Sequence, residues 1–391
     1  MYLGSLSFPT GSNPVSVAVI DVNNDSKPDI ITADYYGNTV TVFLSTGNGT
    51  FSSPTNYTTG TYPQSVAVID VNNDTKPDII TANNNGNTVI TVFLSTGNGT
   101  FSSPTNYTTG TYPQSVAVID VNNDTKPDII TANNNGNTVS VLLNAGNGTF
   151  SSQTIYRTGS NPQSVAVIDV NNDLKPDIIT ANYGSSTVSV LLNAGNGTFS
   201  SLTNYTTGTN PQSVAVIDVN NDAKPDIITA NNNGNTVISV LLNTGNGTFS
   251  SLTNYTTDIN PQSVAVIDVN NDAKPDIITA NNGSNTVSVL LNAGNGTFSS
   301  QTTYTTGTSP RSVAIGDVNN DLKPDIITAN YVSSTVSVLL NAGNGTFSSQ
   351  TTYATGSAPR SVAIGDVNND LKPDIITANY GTSAVAILFH C

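Results

Sequence analysis

Every acidic residue in this chain of 391 residues is an aspartate, and of the 26 only Asp34 and Asp258 stand apart. The others fall in eight copies of one short loop, DVNNDxKPD. In the first copy Asp21, Asn23, Asp25, the backbone carbonyl of Lys27 and Asp29 set hard oxygen donors at alternate positions. Three carboxylates, an amide oxygen, a carbonyl and a water make about six or seven ligands, which is the demand of calcium. Magnesium suits the pattern less because it keeps its own waters. With one Cys and one His, the chain has nothing for metals that seek thiolate or imidazole. The same donors recur at Asp70, Asn72, Asp74, Lys76 and Asp78; Asp120, Asn122, Asp124, Lys126 and Asp128; Asp169, Asn171, Asp173, Lys175 and Asp177. They return at Asp218, Asn220, Asp222, Lys224 and Asp226; Asp268, Asn270, Asp272, Lys274 and Asp276; Asp317, Asn319, Asp321, Lys323 and Asp325; and Asp366, Asn368, Asp370, Lys372 and Asp374. Each Lys stands for its carbonyl, with its ammonium expected to point to solvent. An EF-hand is excluded, since its twelfth position needs Glu and here holds Thr32.

The charge follows the loops. All eight Lys share the seventh loop position, and only Arg157, Arg311 and Arg360 lie elsewhere. The formal charge of -15 is thus concentrated in candidate ion sites, and eight divalent ions would bring it close to neutral. Crowded carboxylates without an ion would raise one another's pKa, so one Ca2+ per repeat, eight in all, is expected as a structural clasp. No basic stripe suits a nucleic acid. No apolar run reaches the ~18 residues of a membrane helix, and MYLGSLSFPTGS lacks the features of a signal peptide. The single Cys391 excludes an internal disulfide framework, leaving metal to cross-link the fold. Catalysis lacks its means: there is no Glu, His390 is alone, and the aspartates are committed.

The loops begin at residues 21, 70, 120, 169, 218, 268, 317 and 366, and residues 51–89 recur letter for letter as 101–139. A period near 50 marks a repeat architecture. Around each loop lie strand-length segments rich in Val, Ile and Thr: SVAVI before it, PDIITA after it, then TVSVLLN or TVTVFLS, then a polar FSSPTNYTT. Val17 and Val19 alternate with Ala18 and Ile20, so both faces are apolar and must be covered. Blades stacked around an axis supply that cover, with the polar fourth strand at the rim. Shifted by one period, Tyr2 falls on Phe51, Phe8 on Tyr57 and Pro14 on Pro63, while TSAVAILFHC ends the chain as a third strand. The expected fold is all-β: one closed eight-bladed β-propeller over residues 1–391, of four-stranded antiparallel blades, the N-terminal strand completing the last.

The DxNxDxxxD loop, the two strands after it and the NxGNGTF turn resemble the FG-GAP-like or VCBS-type repeat, known from integrin alpha-chain propellers and many secreted proteins. The resemblance covers essentially the whole chain. It implies calcium ligands at Asp21, Asn23, Asp25 and Asp29 and at the matching places of each later copy, and an extracellular or cell-surface location. The family's usual glycines at the fourth and sixth loop positions are replaced, by Asn and by Ser, Thr, Leu or Ala. Leu174 and Ala223 are expected to resist a left-handed backbone.

The turns opposite the loops vary between copies and would display Tyr35, Tyr36, Tyr62, Tyr112, Tyr183, Tyr331 and Tyr380 among Asn, Gln and Ser, with Arg311 and Arg360 near the closure. Such a face suits a protein or a glycan, and good turn formation alone explains much of it. The expectation is a monomeric, non-catalytic binding or adhesion platform. The alternatives are a multivalent lectin, which would saturate with many equivalents of a simple sugar, and a purely structural segment of a larger protein. Tyr57, Tyr107, Tyr156, Tyr205, Tyr255, Tyr304 and Tyr353 recur in the fourth strand as expected packing between blade rims. The Asn-Gly pairs at Asn48 and its equivalents are sequons that read first as hairpin turns.

Overall fold

The computed structural model describes residues 2, 4–85, 89–233 and 237–390. Cys391 and parts of the turns at 83–87 and 231–235 lie outside them. Five strands open the chain: β1 (Leu6–Pro9), β2 (Pro14–Ile20), β3 (Asp29–Asp34), β4 (Thr39–Phe43) and β5 (Thr55–Thr58). Strands β2 to β5 form one antiparallel sheet in sequence order, and the pattern repeats through the chain. The eighth sheet holds Pro359–Gly365, Asp374–Asn379 and Ala384–Leu388, and β1 is its outer strand. Leu6 pairs with Ile387 and Pro9 with Ala384, so the ring closes on its own N-terminal strand as the shifted repeat requires. The inner strands of successive blades lie side by side, the first against the last. Among the described residues no helix is long and apolar enough to cross a membrane.

Alternation explains how a blade holds two neighbours at once. Ile30 and Ile31 are successive and fully buried, and they point to opposite faces. Ile30 packs with Val367, Ile376, Val385 and Ile387 of the last blade. Ile31 packs with Val22, Val40 and Val42 of its own blade and with Ile79 and Phe93 of the next. Each such side chain withdrawn from water contributes about 1.5–3 kcal/mol, and the arrangement recurs around the ring. The outer strands are short and mostly exposed, as their polar sequence requires. The expected rim contact is present: Tyr57 meets Phe101 of the next blade edge-on, with ring centroids 5.4 Å apart, and Tyr304 meets Phe347 likewise at 5.5 Å.

One irregularity recurs in every inner strand. Pro14 pairs with Asp34 but Ser16 with Ala33, which leaves residue 15 as the extra residue of a β-bulge. The bulge returns at the equivalent place of later blades, at Arg311 and Arg360 among them. A bulge breaks the alternation and re-aims its side chain.

Candidate metal loops and the opposite face

Each loop joins the inner strand of a blade to its second strand, and bonds to its first aspartate hold its winding. Asn24 and Ser26 have φ of 59° and 64°, in the left-handed region. The same holds at Asn172 and Leu174, and at Asn221 and Ala223. Leu174 and Ala223 therefore adopt the conformation that their Cβ atoms were expected to oppose. The strain is about 1 kcal/mol for such a residue, and the loop's other bonds supply it. Leu174 is 90% exposed, so its side chain meets no further obstacle.

Those bonds centre on the first aspartate. Asp21 Oδ1 accepts the N–H of Asn23 at 3.1 Å and of Asp25 at 3.2 Å, and Oδ2 accepts that of Ser26 at 2.7 Å. Asn23 Oδ1 accepts the N–H of Asp25, and Asp25 Oδ1 that of Lys27. Asp29 is fully buried and accepts from Val22 N at 2.9 Å and Ser45 N at 2.8 Å. Burial first, and then repulsion from Asp25 and Asp21, pushes its carboxyl up to about 6. Neighbouring carboxylates are thus the smaller cause, contrary to the weight the sequence reading gave them.

Among the described residues no three His, Cys, Asp or Glu side chains are gathered closely enough to hold a metal ion. The carboxylates of a loop are spread along its backbone N–H groups instead. The donor set still fits a hard divalent cation: it is all oxygen, it is anionic, and Asp21 Oδ2, Asp25 Oδ1 and both oxygens of Asp29 accept one backbone N–H each and so keep a lone pair. These are repeated Asp-rich loops consistent with calcium-binding motifs. The lysine departs from expectation. Lys27 Nζ lies 3.4 Å from Asp25 Oδ2 rather than in open solvent, and the same pair recurs at Lys76 and Lys175. Its stem crosses Gly47, where a Cβ would meet Lys27 Cδ at 2.8 Å and where φ is +81°. The alkyl chain covers the turn while the ammonium offsets one loop charge.

Sequence reasoning missed the residue that ties loop to loop. Asn193 donates from Nδ2 to Val121 O of the preceding blade at 2.8 Å and to Pro176 O of its own at 2.9 Å. Asn144, Asn243, Asn292 and Asn341 do the same. In the last blade His390 stands at this position, and Tyr2 supplies the substitute: its hydroxyl lies 3.3 Å from Val318 O and 2.9 Å from Pro373 O. The available signal was an Asn or Ser once per unit, two residues before the first turn glycine.

The turns at the far ends of the strands gather part of the expected tyrosine set. Tyr35 stacks on Tyr62 at 4.8 Å, Tyr36 meets both edge-on, and Tyr36 also approaches Tyr380 at 6.3 Å. The guanidinium of Arg360 lies 5.1 Å over Tyr380, and that of Arg311 4.9 Å over Tyr331. Tyr112 stands partly exposed beside this group. Tyr183 makes no ring contact among the described residues. The sequon asparagines serve as turn formers: Asn48 Oδ1 accepts the backbone N–H and hydroxyl of Thr50.

The FG-GAP-like repeat pattern matches at residues 21–81, 70–131, 120–180, 169–229, 218–279, 268–328 and 317–377. The chain belongs to the FG-GAP-like repeat family. The eight-bladed propeller is a scaffold built of such repeats. No curated protein matches it in sequence. Among solved structures it is similar to an Agrocybe aegerita lectin specific for non-reducing terminal N-acetylglucosamine, at 18% identity and TM-score 0.57, over 97% of this chain and 100% of that one. It is also similar to BBS1N, solved in complex with ARL6DN, at 12% identity and TM-score 0.57, over 99% and 96% of the chains. A Lactobacillus plantarum protein matches at 16% identity and TM-score 0.58, over 92% and 98%. At such identities the likeness is one of fold alone.

Proposed function

We propose that this FG-GAP-like propeller is a calcium-clasped binding or adhesion platform working outside the cell or at its surface, with its partner on the face opposite the Asp loops. The observation that carries the reading is the recurrence of the wound loop with its donors unchanged while its sixth residue varies among Ser, Thr, Leu and Ala. Asp21, Asn23, Asp25 and Asp29, with the Lys27 carbonyl, would hold the first ion, and the matching residues the others. Bound calcium supplies positive charge that offsets the crowded carboxylates, and binding energy becomes folding energy by mass action. The chain's own contribution is to hold each loop between two core strands, so that a tightened loop stiffens the blade.

Calorimetric titration of decalcified protein with calcium, with thermal unfolding before and after, tests this. About eight ions per chain and a rise in melting temperature are expected. Absence of binding, or binding without stabilisation, overturns the clasp. A multivalent lectin is the second reading. It is favoured by an outer-rim cleft that occurs both beside Tyr156 and Phe199 and beside Tyr255 and Phe298, with volumes near 460 and 420 Å³.

A further inference from the structure

The bulge position of the inner strand is Val15 in the first blade, Gln64, Gln114, Gln163, Gln212 and Gln262 in the next five, and Arg311 and Arg360 in the last two. Two adjacent blades therefore put guanidinium groups where five others put a neutral amide and the first a valine. Partial burial first, and then the nearby Arg360, disfavour the charged form of Arg311. Among the described residues neither arginine has a carboxylate within ion-pair distance, whereas lysines around the ring pair with aspartates of their own loops. In a chain of charge -15, this is the one place outside the loops, among the described residues, where two cationic side chains are set together.

The surroundings extend the patch in one direction. Arg311 lies over Tyr331, Arg360 over Tyr380, and Tyr380 leads through Tyr36 to Tyr35 and Tyr62. The arc spans the seventh, eighth, first and second blades, across the closure. The only carboxylate in its turns is Asp34, which is buried and accepts hydroxyls from Thr32, Thr39 and Thr41. Stacking occupies one face each of Tyr35 and Tyr62, and a guanidinium occupies one face each of Tyr331 and Tyr380. A neutral sugar ring makes no use of two guanidiniums that lack a carboxylate. Hydroxyls, ring edges and forked N–H donors remain, and these suit the carboxylates and backbone of a peptide.

We infer that the Arg311–Arg360 pair and the tyrosine arc beside it form a docking site for an acidic peptide segment of a partner protein. Carboxylates seat against the two guanidiniums, and the peptide continues over Tyr36 toward Tyr62. This rests on the reading of that face as the binding face, and names what binds there.

The test uses the full calcium-loaded chain and fluorescein-labelled hexaglutamate, with hexaglutamine and hexalysine of equal length as comparators, read by anisotropy. The variant is Arg311→Gln with Arg360→Gln, which places at both bulges the residue that five other blades already carry and so preserves the fold. Its loops are unchanged, so loss of calcium to the peptide would affect both proteins alike. Hexaglutamate is expected to bind the native chain and to bind the variant at least tenfold more weakly, with no binding of hexalysine at this face. Equal binding by both proteins, or equal binding of hexaglutamine, overturns the inference. A parallel titration with an oligogalacturonate separates the two levels. If that glycan binds in an arginine-dependent way and the peptide does not, the peptide assignment falls and the binding face stands. If neither binds, both fall.

Discussion

Asp34 occupies the place at which the other blades have an asparagine, such as Asn83 or Asn182. The difference is one of proton count. In the second blade Asn83 Nδ2 donates to Thr91 Oγ1 at 2.9 Å, which frees the Thr91 hydroxyl to donate to Asn106 Oδ1 at 2.8 Å. In the first blade Thr41 has one hydrogen and two acceptors, Asp34 Oδ2 at 2.6 Å and Asn56 Oδ1 at 2.9 Å. A protonated Asp34 would mend the chain by donating to Thr41. Burial likewise favours the neutral acid and pushes the group up to about 6, against the three threonine hydroxyls that oppose it. A carboxyl whose folded value is raised costs nothing below its unfolded value and its full penalty above its folded one. The penalty thus grows between roughly pH 4 and 6. Asp34→Asn is expected to stabilise the protein by about 2 kcal/mol at pH 7.5, with the gain fading toward zero near pH 4. Denaturant unfolding of both proteins at matched pH and calcium checks it; a pH-independent difference would refute it.

At the scale of the element, the unit is a strand pair plus the loop it carries, and the loops are stitched to one another. Asn193→Ala removes the bonds to Val121 O and Pro176 O together with the acceptor for Gly195 N. Left buried without partners, these groups are expected to cost about 2–3 kcal/mol. Hydrogen exchange should quicken in the loops around Val121 and Pro176 before it quickens elsewhere; uniform quickening would mean that the stitch is not local. This bond was illegible in the sequence because an Asn before a Gly reads as a turn former, and its partner is 72 residues away. The strands themselves were legible: PDIITA is apolar at both parities, which only cover on both faces explains, and Ile30 and Ile31 show that cover. The donors of the metal loops were legible from spacing. Their winding was not, since Leu174 and Ala223 argue against it locally and the bonds to Asp169 and Asp218 impose it. The place of Arg311 and Arg360 could be read, but not their aim, because a bulge appears in register and not in composition.

For the whole molecule, closure is the property that no single repeat contains. Without β1 the strand Ala384–Leu388 would present a free edge of apolar sequence, and Tyr2 would no longer join the loop carbonyls of the seventh and eighth blades. Deletion of residues 1–10 is expected to lower the melting temperature and to yield dimers or aggregates by light scattering, since an open edge recruits another strand. A monomer of unchanged stability would show that the seam is dispensable. The ends matched across one period made the closure readable, because Tyr2 and Phe8 fall on Phe51 and Tyr57.

The seam also has a direction. Tyr2 bridges His390, Leu6 pairs with Ile387 and Pro9 with Ala384, so both chain ends leave from the same end of the same strand pair. Tension drawn through them peels the pair one rung at a time and never loads the rungs together. The ring would thus yield first, and at low force, at its own clasp, while the blades behind it stay folded; a pull between two inner turns would meet whole sheets in shear.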